Sequence, residues 1–186
     1  MGLKFYNTIT RTKEDFQPQE NGKVKIYTCG PTVYDFAHIG NFRTYIFQDL
    51  LRRWLKYRKY KILQVMNLTD VDDKTIKNSR NQKIPLKTYT DKYTKAFFED
   101  IDSLSIQKAE FYPNATEHIT EMVALIKKLM MKNFAYRGED NSIYFDTSKF
   151  REYGKLSKLN LKNLKTQTRV KADEYGKEEL IDFALW

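Results

Sequence analysis

A chain of 186 residues, 41% of them apolar, can bury a core as one medium domain or two small ones, and no apolar window in it approaches the length of a membrane span. Its 33 lysines and arginines outweigh 24 acids to give a net charge of +9, concentrated at Arg52, Arg53, Lys56, Arg58, Lys59 and Lys61 and again from Lys149 to Lys171, where Glu152 is the only acid; such stripes suit either an RNA backbone or plain solvated surface. The one cysteine, Cys29, excludes an intrachain disulfide and with it a stapled secreted domain, and the start Met1-Gly2-Leu3-Lys4-Phe5-Tyr6 lacks a signal-peptide core, so the expected location is the cytoplasm and the sequons at Asn67 and Asn114 are irrelevant.

Lys23 to Cys29 alternates charged and apolar residues as a half-buried strand does, and Gly30-Pro31 ends it. From Ile39 a long amphipathic helix is expected. Phe47, Leu50, Leu51, Trp54 and Leu55 form its apolar spacing, with Arg43, Gln48, Asp49, Arg52, Arg53 and Lys56 on other faces. Lys61 to Leu68 reads as a second strand, which completes a βαβ unit of a parallel sheet. Ligands of such sheets bind at the carboxyl ends of the strands, where Cys29, His38 and the run Thr69-Asp70-Val71-Asp72-Asp73-Lys74 fall. Thr69 or Asp70 opens a short helix. Asp72 and Asp73 read as first-turn acids that favour the macrodipole rather than as a magnesium cluster.

Downstream the pattern is more helical. One helix is expected over Leu86 to Leu104, with Tyr93, Phe97, Ile101 and Leu104 on one face. Another covers Ala115 to Lys132, with Ile119, Met122, Val123, Ile126, Leu129 and Met130 as a core stripe and His118 exposed in its first turn. Ala135-Tyr136-Arg137 and Ser142 to Asp146 flank Gly138-Glu139-Asp140-Asn141 as a hairpin. Tyr34 and most other aromatics read as packing. Organisation divides near residue 82.

Three runs carry a family resemblance: Cys29-Gly30-Pro31-Thr32-Val33-Tyr34-Asp35, His38-Ile39-Gly40-Asn41-Phe42-Arg43-Thr44, and Asn67-Leu68-Thr69-Asp70-Val71-Asp72-Asp73-Lys74. Together with Pro113 to Ile119, the hairpin at Ser142 to Asp146 and the final Asp182-Phe183-Ala184-Leu185-Trp186, they closely resemble cysteinyl-tRNA synthetases, which are class I enzymes. The resemblance implies an α/β fold whose residues 1–82 form the first half of a Rossmann-type nucleotide-binding parallel sheet and whose residues 83–186 form a largely helical α+β connective insertion, truncated at its end. It implies ATP-dependent activation of cysteine to cysteinyl-adenylate and transfer to tRNA(Cys), with ATP and Mg2+ as substrate, in a monomeric parent. That chemistry is mostly orientation and electrostatics around the α-phosphate and the departing pyrophosphate.

By the same resemblance His38 and Asn41 are the catalytic pair, standing at the first and last places of the His-Ile-Gly-His signature with asparagine replacing the second histidine. Pro31, Thr32, His38, Ile39, Gly40 and Asn41 are expected to bind ATP, Gly40 by letting the backbone approach and the helix start by offering unpaired amides. Gly30, Thr69 and Asp70 are expected to bind the substrate cysteine. Cys29 matches the first of four zinc ligands, and a zinc-bound thiolate would distinguish cysteine from serine because soft sulfur is the better ligand. The other three ligands, the second half of the sheet and the Lys-Met-Ser-Lys-Ser loop have no counterpart up to Trp186, so an amino-terminal fragment inactive by itself is expected. Two other readings stand beside this one: a cysteine ligase acting on an amino-sugar acceptor through the same half-domain, and a non-catalytic RNA-binding fragment. Taken alone, Cys29 would more often be a small buried hydrophobe and His38 a capping residue as often as a ligand contact.

Overall fold

The computed structural model describes residues 2–158 and 182–186. In chain order the elements are β1 (Lys4–Asn7), β2 (Thr12–Asp15), β3 (Lys23–Thr28), α1 (Ile39–Tyr57), β4 (Lys61–Met66), α2 (Asp73–Asn81), α3 (Leu86–Ser103), α4 (Ile119–Met131), β5 (Ala135–Arg137), β6 (Ile143–Phe145) and β7 (Phe183–Ala184). The chain divides into two compact units, Gln17–Ile119 and a second that joins Met1–Phe16 to Thr120–Trp186.

The first unit is built on the parallel pair β3 and β4, in register from Lys23 opposite Lys61 to Thr28 opposite Met66. Alternation puts Val24 on the buried face of β3 and Lys23, Lys25 and Tyr27 in solvent, and it buries Gln64, Met66, Leu68 and Asp70 along β4 and its extension. A third extended stretch lies against β4 in the same direction. Val65 bridges Phe111 and Leu68 bridges Asn114, with Met66 N donating to Phe111 O (3.0 Å) and Leu68 N to Pro113 O (2.9 Å). The chain therefore makes two successive parallel crossovers, the first through α1 and the second through α2 and α3.

Phe42 and Tyr45 of α1, Met66 and Leu68 of the β4 segment, Phe97 and Ile101 of α3, and Ile106 form the main core. Tyr45 meets Phe97 edge-on at 5.3 Å between ring centroids. Because α3 supplies Phe97 and Ile101 to this core, residues 83–119 pack with the βαβ unit, and the two compact units divide at 119.

Helix α1 sits differently from its sequence pattern. Leu55 is buried as expected, but Phe47, Leu50 and Trp54 are 65%, 63% and 44% exposed, and the inward face is Phe42, Tyr45, Arg52 and Leu55. Helix α2 starts later than the expected Thr69 or Asp70, since Thr69 is still bridged to Thr32 as an extension of β4. Asp72 is the N-cap, accepting from Thr75 N (2.7 Å), and Asp73 lies in the first turn, so the helix-start reading of these two acids holds. Helix α3 follows Pro85 and buries Tyr89, Tyr93, Phe97 and Ile101, while Leu104, just past its end, is 47% exposed.

In the second unit β1 and β2 form an antiparallel hairpin, closed over Phe5 and Phe16, whose rings meet edge-on. The expected hairpin is β5 and β6, with Ala135 opposite Phe145, and β7 adds to it through Tyr144 opposite Ala184. Asp182 is buried there as a carboxylate satisfied three times over, accepting from Thr147 N, Thr147 Oγ1 and Tyr136 OH, each at 2.9 Å. Phe145 stacks on Phe183 at 5.1 Å. Helix α4 buries none of its residues: Ile119, Val123, Ile126 and Leu129 are half-buried, and Met122, Leu125, Met130 and Met131 are exposed. A 3-10 turn at Ala115–His118 precedes it, with His118 exposed. Beyond Lys158, the basic stretch expected to run to Lys171 lies outside the described residues, as does Ile181.

Candidate functional site

The loops leaving β3 and β4 are stitched together at the carboxyl edge of the sheet. Thr32 forms a parallel bridge with Thr69, Thr69 N donates to Pro31 O (3.0 Å) and Val33 N donates to Thr69 O (3.1 Å). Gly30 lies so close to the β4 extension that a Cβ on it would stand 1.9 Å from Asn67 O and 2.8 Å from Met66 Cγ, so only glycine passes here. Gly30 N donates to Asn67 Oδ1 (3.1 Å), and Asn67 Nδ2 donates to Thr69 Oγ1 (3.0 Å). The expected cysteine-binding residues Gly30 and Thr69 thus meet through Asn67. Asp70 turns away from them: its Oδ1 accepts from Thr116 N (2.9 Å) and its Oδ2 from Thr116 Oγ1 (2.5 Å), which ties β4 to the start of the 3-10 turn.

A second group forms at the start of α1. His38 is the N-cap, with extended backbone at φ −111° and ψ 173°. Its Nδ1 accepts from Gly40 N (3.0 Å), while Asn41 Oδ1 accepts from His38 N (3.0 Å), a reciprocal cap. A Cβ on Gly40 would meet the imidazole at 2.9 Å, so the glycine is there to let the ring fold back over the helix start. Asn41 N and Phe42 N both donate to His38 O. The sequence reading expected several free amides here, and the cap uses all but that of Ile39. What the cap leaves outward is His38 Nε2, which must carry the ring proton because Nδ1 is the acceptor, and the Asn41 NH2. The first turn of α1 holds no acid, and Ile39 is 84% exposed. Among the described residues no hydrogen bond joins this group to the strand-end group.

Beneath the strand ends runs a polar network that the sequence did not disclose. Arg52 of α1 is 3% exposed and forks onto the two carboxylate oxygens of Glu110, while its Nη1 also donates to Gln64 Oε1 (3.1 Å). Gln64 Nε2 reaches Thr28 Oγ1 (3.2 Å), the residue before Cys29, and Gln64 N donates to Glu110 Oε2 (2.6 Å). The guanidinium holds the Glu110 carboxyl at about 2, well below its ordinary value of 4.5. Arg52 and Arg53, read as part of a basic stripe, are therefore spent internally, Arg53 on Asp49 Oδ2 (2.6 Å) and Ser105 O (2.6 Å). Gln48 Nε2 lies 3.5 Å from Cys29 O, and burial pushes the Tyr45 phenol up to about 12, with Cys29 adding to the shift.

Cys29 itself is exposed. Among the described residues no three His, Cys, Asp or Glu side chains cluster as a closed metal shell would require. No helix among the described residues is long and apolar enough to cross a membrane.

A parallel sheet with two crossovers and a glycine-tight loop at its carboxyl edge define a Rossmann-type α/β domain. The family model for the tRNA synthetases class I (C) catalytic domain matches residues 15–186, and the chain belongs to that family. The chain is similar to the cysteine--tRNA ligase of Chlamydia pneumoniae, 53% identical over 185 residues that cover 100% of this chain and 39% of that protein. It is likewise similar to those of Chlamydia felis (strain Fe/C-56), at 54% over 99% of this chain and 38% of the relative, and Protochlamydia amoebophila (strain UWE25), at 52% over 99% and 39%. The chain thus spans less than two fifths of the length of these relatives. Among solved structures, LeuRS of Agrobacterium radiobacter K84 in its ternary LeuRS-tRNA-LeuAMS complex shares the fold, with a TM-score of 0.55 at 20% identity over 73% of this chain and 18% of that one. So does a putative arginyl-tRNA synthetase from Campylobacter jejuni, at 0.51 and 12% over 72% and 39%.

Proposed function

We propose that this chain is the amino-terminal part of a cysteine--tRNA ligase and carries the first half of its nucleotide- and cysteine-binding edge. In this reading residues 17–119 bind ATP and cysteine, and the unit that includes α4 to β7 is the connective insertion. The observation that carries the proposal is the identity of more than half over the whole chain to cysteine--tRNA ligases, with the capped helix start and the stitched strand ends lying inside the matched residues.

The cysteine carboxylate attacks the α-phosphorus of ATP and pyrophosphate leaves; a terminal ribose hydroxyl of tRNA(Cys) then attacks the acyl carbon of the adenylate, and AMP leaves. His38 donates from Nε2 to a phosphate oxygen, and its Nδ1 bond to Gly40 N holds the ring in that orientation. Asn41 donates from its NH2 to a second phosphate oxygen. Its side-chain oxygen, held by His38 N, fixes which end faces out. Pro31, Thr32, Ile39 and Gly40 line the nucleotide path, and Gly30 and Thr69 flank the amino acid. Asp70, whose oxygens both serve Thr116, holds the loop rather than touching the cysteine. Zinc would supply thiol selectivity; Cys29 is one ligand, the other three come from residues outside this sequence, and no step above depends on the metal. The parent works as a cytoplasmic monomer.

Cysteine-dependent exchange of pyrophosphate into ATP tests the proposal. The parent protein exchanges with cysteine and not with serine, and an isolated 186-residue chain exchanges weakly or not at all. Equal exchange with both amino acids, or with neither, overturns it.

A further inference from the structure

Asn67 lies between the two loops that the proposed function uses, and its contacts go beyond packing. Its amide is oriented without ambiguity: Gly30 N can only donate, so Oδ1 must face it and Nδ2 must face Thr69. The bond to Nδ2 occupies Thr69 Oγ1 as an acceptor. Among the described residues Thr69 Oγ1 makes no other hydrogen bond, so its own proton is the one free to leave the loop. The Gly30 amide is in turn consumed by Asn67 and unavailable to a ligand. The close approach of Gly30 to Asn67 O leaves this latch no room to slide.

We infer that Asn67 is a positioning residue that sets the polarity of the Thr69 hydroxyl, making it a donor to an anionic oxygen of the bound amino acid, and fixes the distance of the Gly30 loop from it. The inference rests on the proposed function, because it needs a ligand at Thr69. With aspartate at 67 the Gly30 bond survives, while the new carboxylate oxygen accepts from Thr69 and turns its proton inward, away from the ligand.

The test is cysteine-dependent pyrophosphate exchange on the full protein that carries this sequence, with Asn67→Asp, Thr69→Ala and the double variant. We expect Asn67→Asp and Thr69→Ala each to raise KM for cysteine about tenfold, with kcat within about twofold and KM for ATP unchanged. The double variant is expected to match Thr69→Ala alone, since Asn67 acts through the hydroxyl that is then missing. Asn67→Ser, uncharged and too short to span both partners, gives the same KM rise and covers the case in which aspartate disturbs folding. Additive losses in the double variant, or an unchanged KM in both Asn67 variants, overturn the inference and leave the functional reading standing. An unsubstituted protein without exchange overturns both.

Discussion

Helix α1 buries Phe42, Tyr45, Arg52 and Leu55, whereas α4, proportionally richer in apolar residues, buries none of its own. Both stripes recur at helical spacing. What separates the two helices is their neighbours: α1 lies against β4, and α3 and the 110–115 stretch are brought beside it by the parallel ladder, so even a guanidinium on its inner face finds a carboxylate. Spacing tells which side chains share a face. Burial depends on what the rest of the fold sets opposite.

Substitutions along the two helices put numbers on that contrast. Leu55→Ala, at a position 1% exposed, should cost about 3 kcal/mol by removing buried methyls and leaving a cavity, read as a drop in urea midpoint. Acid comes next. The Glu110 carboxyl is depressed to about 2 in the fold, so its stabilisation is complete above its ordinary value of 4.5 and is lost as pH falls through that window. With the side chain a third exposed, solvent screening reduces this to about 2 kcal/mol, and Glu110→Gln should flatten stability against pH between 4.5 and 2. His38→Ala should cost about 1 kcal/mol for the lost cap, seen as a lower Tm, and should also remove the outward Nε2 donor. Leu125→Gln on the open face of α4, 59% exposed, should change stability by less than about 0.5 kcal/mol. A cost there equal to that of Leu55→Ala would erase the distinction between the helices.

The βαβ unit was legible because strand alternation and the Gly30-Pro31 stop are local signals, and so was Asp72, whose helix-start reading needs only the next three residues. The stretch at 110–115 was not. It holds Pro113, lacks alternation and becomes a strand neighbour only by exchanging backbone hydrogen bonds with Gln64, Met66 and Leu68. Phe47, Leu50 and Trp54 misled because α1 rotates to bring Arg52 onto Glu110, a partner 58 residues away. In the candidate site, the motif pointed to His38, Gly40 and Asn41, and the structure adds that they cap one another before they meet any ligand. Asn67 was within reach of sequence reasoning: it stands two residues before Thr69, on the same side of an extended strand.

Gly30 has a genetic consequence. No amino acid is smaller, so every missense change in that codon adds atoms to a space where the first added carbon would sit 1.9 Å from a peptide oxygen of the neighbouring strand. A flexible side chain could swing away from such an intrusion, but a backbone carbonyl held in a parallel ladder cannot. The position therefore has no conservative replacement. A mutational scan should find it blank across all nineteen alternatives, with alanine no better tolerated than tryptophan.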